Sequence, residues 1–197
     1  MSFYPFNKNL ARYAKTDVSG VLTDLKSVVH RLVGSPAVPD VDFLVVSTNM
    51  KVGTYTLAQT VLAVARNVTI TVVKADAFDT PGTVLVTGTG INGASLTETI
   101  IPADGLAVGL KAFKTIVSIV GDGWVIGGGT DQISFGFGDV LGLPDKLAQN
   151  TVLFAAFNAV REAVAPTVTF SSTVLALNTV DLNSASNGST VEVWYIP

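Results

Sequence analysis

The chain has 197 residues, of which only 14% are charged, with a net charge of -3 and no cysteine; an ordinary soluble domain is about 25% charged. These figures exclude disulfides, thiolate chemistry and cysteine-ligated zinc, and they provide no general attraction to DNA or to anionic lipid. Hydrophobic residues make up 48% of the chain, yet the best candidate for a bilayer span, Leu57 to Ala65, is interrupted by Gln59 and Thr60 and is far shorter than the ~20 residues required. So apolar a chain without a span is expected to hide surface against other subunits.

Residues 1–16 read as an extended arm. Phe3, Tyr4, Phe6 and Tyr13 interleave with Lys8, Arg12 and Lys15, and no acid precedes Asp17. Three aromatics within a few residues are costly in water, which favours a tether onto a neighbouring subunit over a frayed terminus. Three positive charges are too few to favour nucleic acid. The start of the chain lacks the apolar stretch of a secretory signal, so folding in the cytoplasm where the chain is made is expected.

Val18, Val21, Leu22, Leu25, Val28, Val29 and Leu32 recur at three- and four-residue spacing, which predicts an amphipathic helix over 17–33, ended by Gly34. Asp24, Lys26 and Arg31 fall on its wet face, and His30 sits beside the stripe as a structural residue. GSPAVPD at 34–40 reads as a linker. The chain thus divides into an N-terminal arm and helix, 1–40, and a body, 41–197.

Beyond residue 40 the pattern changes to short runs rich in Val, Ile, Thr and Phe, broken by turn residues. The runs are 43–47, 55–61, 67–74, 83–87, 95–101, 113–120, 124–126, 132–136, 151–157, 166–170, 173–177 and 190–196. Val68, Ile70 and Val72 alternate with their neighbours, as do Val191, Val193 and Tyr195. Period 2 at this spacing predicts an all-β fold, an antiparallel sandwich or barrel-like body. Residues 144–161 fit either a helix opening at Pro144 or a turn at 144–149 followed by strands that bend near Asn158; the second reading is preferred.

Gly88, Gly90 and Gly93 match the spacing G-x-G-x-x-G, but the chain after them continues as a strand and not as the helix that dinucleotide binding needs. Asn92-Gly93 instead marks a tight hairpin turn, with positive φ at both positions, joining 83–89 to 95–101. Asp122 and Asp131 lie in a Gly-rich stretch whose spacing does not match a calcium loop, so a pair of turns is the simpler reading. Catalysis has little to work with. His30 is the sole histidine, there is no G-x-S-x-G elbow, and the carboxylates fall mostly in turns, where Asp is ordinary. No enzyme activity, metal or cofactor is expected. Trp124 and Trp194 are assigned to core packing.

Four blocks carry a resemblance: Ala65-Arg66-Asn67-Val68-Thr69-Ile70, VTGTGINGASLTETI (86–100), KAFKTIVSI (111–119) and DQISFGFGDVLGLP (131–144), with a closing strand VEVWYIP. In this order they resemble segments of a broad set of tailed-bacteriophage virion proteins, over roughly residues 54–197. The chain departs at Ala63-Val64-Ala65, where the pattern often has a proline before the arginine. The resemblance implies a structural subunit of the particle, typically a head decoration or cement protein bound to the major capsid protein, and it carries no catalytic residues. A tail, adaptor or fibre subunit, with a host-glycan role, stays open beside it. The expected contacts are Phe3, Tyr4, Phe6, Arg12 and Tyr13 in the arm and Leu22, Leu25 and Val29 in the helix. The expected location is the virion surface, with no membrane or nucleic-acid partner.

Overall fold

The structure is a computed structural model, and it describes residues 28–76, 79, 82–125, 127 and 130–197. The described residues are mostly antiparallel β. Twelve strands follow one another: β1 (Val29–Gly34), β2 (Asp40–Asn49), β3 (Val61–Val73), β4 (Thr83–Thr89), β5 (Ser95–Ile100), β6 (Gly105–Asp122), β7 (Gln132–Gly142), β8 (Val152–Phe157), β9 (Val160–Arg161), β10 (Thr167–Thr169), β11 (Thr179–Asp181) and β12 (Val191–Tyr195). Eight of them form one sheet, in the order β10-β11-β7-β3-β6-β4-β5 with β2 also on β7, and the other four form a sheet in the order β1-β12-β8-β9.

The large sheet curls so that one of its faces encloses a core. Val68 and Ile70 of β3, Val84 and Val86 of β4, Ile119 of β6 and Phe135 of β7 are all buried there. The curl follows from β6, whose 18 residues pair with β3 along the first part and with β4 along the second. The small sheet covers a second core at the other end of β3 and β7, where Val64 and Leu141 meet Ala155, Val193 and Tyr195. The alternation expected at Val191, Val193 and Tyr195 is present: all three are buried, while Glu192 and Trp194 face outward.

Several expectations are corrected. Residues 29–33 form a strand and not the end of a helix, pairing with β12 from Val29↔Tyr195 to Leu32↔Glu192. Val29 and Val33 pack on the second core, so over five residues a period of 2 competes with the helical spacing, and the edge of β12 supplies the ladder bonds that decide it. The remainder of the expected helix and the whole arm lie outside the described residues. Residues 55–60 are a crossing loop, because their amides bond different strands in turn: Tyr55 N–H donates to the Ile119 carbonyl and Ala58 N–H to that of Leu44. Residues 173–177 are not a strand. They end in a 3-10 turn, Leu175–Leu177, gathered by Asn178. Trp124 precedes any strand of its own, in a loop.

The hairpin β4–β5 has the expected register, from Val84↔Ile100 to Thr89↔Ser95. Its turn differs in kind. Gly93 alone has positive φ, at 76°; Gly93 N–H donates to the Gly90 carbonyl and Gly90 N–H to that of Ala94. This is the wider hairpin in which a turn is followed by one left-handed glycine. The two-residue turn with both positions left-handed occurs instead at Asn158 and Ala159, φ 52° and 61°, between β8 and β9, where the expected bend near Asn158 is found.

Candidate functional site

The densest polar constellation among the described residues lies in the middle of the large sheet, where Arg66 and Asn67 interrupt an apolar strand. Both neighbours of β3 bulge at this level. Opposite β3, residues 109–111 of β6 fall between Asn67↔Ala112 and Thr69↔Val108, and residues 138–140 of β7 fall between Arg66↔Leu141 and Val68↔Phe137. A bulge leaves backbone groups without ladder partners. The Asn67 carboxamide, fully buried, bridges the two: its Nδ2 donates to the Gly109 carbonyl at 3.3 Å and its Oδ1 accepts from Val140 N–H at 3.2 Å. Gly138 leaves room for it, since a Cβ there would lie 2.8 Å from Asn67 Oδ1.

Glu98 serves the same bulge from β5. Its carboxylate accepts Leu110 N–H at 2.7 Å and Lys111 N–H at 3.3 Å, while Lys111 Nζ returns to the Thr97 carbonyl. Burial raises the Glu98 pKa, and the two backbone N–H groups only partly oppose that shift.

Arg66 sits where the two cores meet. Its side chain is 3% exposed. It donates from Nη1 to the Ala37 carbonyl at 2.6 Å, pairs through Nη2 with Asp139 at 3.1 Å, and lies 4.4 Å over the Phe137 ring. Asp139 also accepts Ser186 N–H. Burial pushes the guanidinium pKa down to about 10, opposed by Asp139, which leaves it charged at neutral pH. Its Nε is buried with no hydrogen-bond partner. This constellation contains no nucleophile paired with a base. Chemically it replaces lost ladder bonds and ties four strands, β3, β5, β6 and β7, and the 34–37 segment together.

A second cluster stands on the outer face of the small sheet. His30 on β1 stacks on Trp194 on β12 at 4.3 Å between ring centroids, Trp194 stacks on Phe154 of β8 at 4.5 Å, and Arg161 of β9 lies 4.8 Å over Phe154. His30 Nε2 also lies 2.6 Å from Glu192 Oε2. Trp194 is therefore an outer-face residue and not a core one, because its neighbours on β12 take the inward positions. Trp124 packs partly against the first core.

The carboxylates of the Gly-rich stretch hold backbone, Asp122 within its own turn and Asp131 across to the segment after β3. Asp122 accepts Gly123 N–H, and Asp131 Oδ1 accepts Ala75 N–H at 2.6 Å. Among the described residues no three His, Asp or Glu side chains converge as metal ligands would. Of the expected contact residues, Val29 lies in β1 on the second core; Phe3, Tyr4, Phe6, Arg12, Tyr13, Leu22 and Leu25 lie outside the described residues. Sequence reasoning missed Arg66, Asn67, Glu98, Asp139 and Asn178 as a set. The signal for the first two was an Arg-Asn pair inside an apolar β run, since such residues are buried only with partners. The chain matches no protein-family model, no curated protein and no solved structure.

Proposed function

We propose that this chain is a structural subunit of a tailed-bacteriophage particle: a capsid decoration or cement protein that binds the major capsid protein, self-associates as a trimer or dimer, and stabilises the assembled head shell. In this reading the curled and small sheets form a sandwich-like body. The arm, through Phe3, Tyr4, Phe6, Arg12 and Tyr13, and the apolar positions Leu22 and Leu25 make the contacts, while Val29 is taken up by the second core. The protein is made in the host cytoplasm and resides on the virion surface.

The observation that carries the reading is the use of surface. Leu106, Val108 and Leu110, alternate residues of one strand, are 54%, 50% and 66% exposed, and only 14% of the chain is charged. A surface of this kind gains by being covered, at about 25 cal/mol per Å² of apolar area, and many identical copies multiply the effect. Arg66, Asn67, Glu98 and Asp139, polar residues of the resemblance blocks, are meanwhile occupied in holding the bulged strands and the segments packed on them. Immunogold electron microscopy of purified particles, with antibody against the recombinant chain, tests this: label spread evenly over heads is expected, and absence from every particle overturns it. Deleting residues 1–16 is expected to leave a folded body that no longer binds heads.

One observation favours the second reading, a tail, adaptor or fibre subunit with a glycan role. The half-buried Trp124 lines an open hollow of about 470 Å³ with Lys51, Asp122 and backbone from Gly121 and Gly123, the apolar-plus-polar mix that a sugar needs. Label confined to tails, with binding on a glycan array that Trp124→Ala abolishes, would select it.

A further inference from the structure

The outer face of the small sheet carries two cross-strand rows that neither core uses. In the first, His30 of β1, Trp194 of β12 and Phe154 of β8 stand opposite one another. In the second, Leu32, Glu192, Ala156 and Arg161 follow across β1, β12, β8 and β9. The rings of the first row are stacked nearly parallel, at 7° and 19°, and Arg161 closes the stack over Phe154. Stacking holds these side chains in place beforehand, so little side-chain entropy is lost when a partner meets them. Trp and Arg are also the residues that most often anchor interfaces. The face is open: the His30 side chain is 50% exposed, Leu32 66%, and Arg161 is exposed.

The charges of the second row are complementary to themselves. Glu192 stands one strand to one side of Ala156 and Arg161 one strand to the other, each about 4.8 Å away across the sheet. Glu192 has the His30 imidazole beside it, while Arg161 has a ring but, among the described residues, no carboxylate. Consider a second copy turned over about a two-fold axis that runs parallel to β8 above Ala156. Its Glu192 comes over the first copy's Arg161, and its Arg161 over the first copy's Glu192. One operation therefore makes two ion pairs, and the small side chain at the axis lets the two sheets approach to the ~10 Å of ordinary sheet packing. The rings fit the same operation. Their row ends at Phe154, and the second copy's Trp194 comes over the place beyond it, where the Arg161 guanidinium lies.

We infer that this face is the contact between two copies of the chain, made isologously about a two-fold axis parallel to β8. The inference rests on the self-associating reading above and locates the contact. A second copy is the occupant because opposite charges set symmetrically about one small residue match the same face turned over.

Sedimentation velocity of the full chain over a wide concentration range tests it. Arg161→Glu sets a glutamate against the partner's Glu192, and Glu192→Arg sets an arginine against the partner's Arg161. Each is expected to raise the dissociation constant about tenfold or more, since like charges then face each other twice. Mixed in equal amounts, the two variants are expected to form the dimer that neither forms alone, because every pair in the mixed dimer is again opposite in sign. Should either reversal fail to fold, Arg161→Gln changes one exposed side chain; it is expected to weaken the dimer about threefold and to abolish its weakening between ~0.01 and ~0.15 M salt. A parent dimer indifferent to these variants, a mixture no more associated than its parts, or a closed trimer overturns this contact and leaves self-association standing. A parent that is monomeric throughout overturns both, and loss of head binding by the reversals of such a monomer gives the face to the shell protein instead. A dimer that responds as expected, from a chain that labels no particle, keeps the contact and loses the particle role.

Discussion

Asn178 offers the sharpest test of how the loops of this fold are held. It is fully buried and uses its whole carboxamide. Oδ1 accepts Leu147 N–H at 2.8 Å and Ser171 N–H at 3.0 Å, and Nδ2 donates to the carbonyls of Ser171, Val174 and Leu175 at 2.9, 3.0 and 3.2 Å. One side chain thus ties the segment after β7 to the turn before β11. Asn178→Ala leaves two amide N–H groups without acceptors, at about 1–3 kcal/mol each. Part of that is recovered because Ser171 lies near solvent, so the expected loss is ~3 kcal/mol, a large share of the 5–15 kcal/mol typical of a domain. Asn178→Asp is the discriminating partner. Asp keeps the acceptor for both amides but turns its second oxygen toward three carbonyls, so at neutral pH it is expected to be at least as damaging as alanine. It should improve on acidification, when a protonated carboxyl can donate to one of them. Urea unfolding followed by far-UV circular dichroism, at pH 7 and near pH 4, measures both variants. An alanine variant within about 1 kcal/mol of the parent, or an aspartate variant clearly more stable than alanine at pH 7, would refute the assignment.

Three further outcomes are expected. Ala159 sits left-handed in the β8–β9 turn, where a Cβ costs about 1 kcal/mol, so Ala159→Gly should gain ~0.5–1 kcal/mol in the same urea titration; a loss would contradict the turn geometry. Burial raises the folded-state pKa of Glu98 above its ordinary 4.5, so the folded chain holds that proton more tightly than the unfolded one. Stability from this group therefore falls as pH rises from 4.5 through the folded pKa and returns on acidification. Glu98→Gln keeps an acceptor for the Leu110 and Lys111 amides and should flatten that stretch of a stability-versus-pH curve, leaving the part due to Asp181, which is raised by burial and by Asp139; an unchanged curve would count against it. A Cβ at Gly136 would lie 1.8 Å from the Asp40 carbonyl oxygen, a backbone contact that cannot give way cheaply. Gly136→Ala should therefore cost ~3 kcal/mol or more and open β2 to limited proteolysis; wild-type protease resistance would show that β2 does not lie over β7 there.

What was legible in the sequence was what repeats locally. Val191, Val193 and Tyr195 announce a strand because alternate residues face one core, and residues 83–100 announce a hairpin because two such runs flank Asn92-Gly93. Residues 29–33 misled because five residues satisfy both periods, and the choice belongs to β12, more than 150 positions away. Asn178 was illegible for the same reason: an asparagine before a strand looks like any turn residue until Leu147 and Ser171 are brought beside it. The curl was also hidden, since nothing in residues 105–122 alone tells that β6 changes partner along its length.

The four resemblance blocks become intelligible as parts of one construction. The first supplies Arg66 and Asn67, the second Glu98, the third the Lys111 amide that Glu98 receives, and the fourth Gly138, Asp139 and the Val140 amide. Each block is weak alone because each holds one piece of a buried polar centre whose other pieces lie 12 to 73 positions away. A bulged, curled sheet needs such a centre, since every bulge strands backbone groups that water cannot reach. Residues of this kind mark a topology and not a reaction. It follows that these residues mark the scaffold, and under the proposed function binding would reside outside them, in the arm and on the exposed stripe of β6. Substitutions at Arg66, Asn67, Glu98 or Asp139 should therefore lower stability, whereas under the proposed function substitutions at Leu106, Val108 or Leu110 should weaken association while leaving the unfolding midpoint where it was.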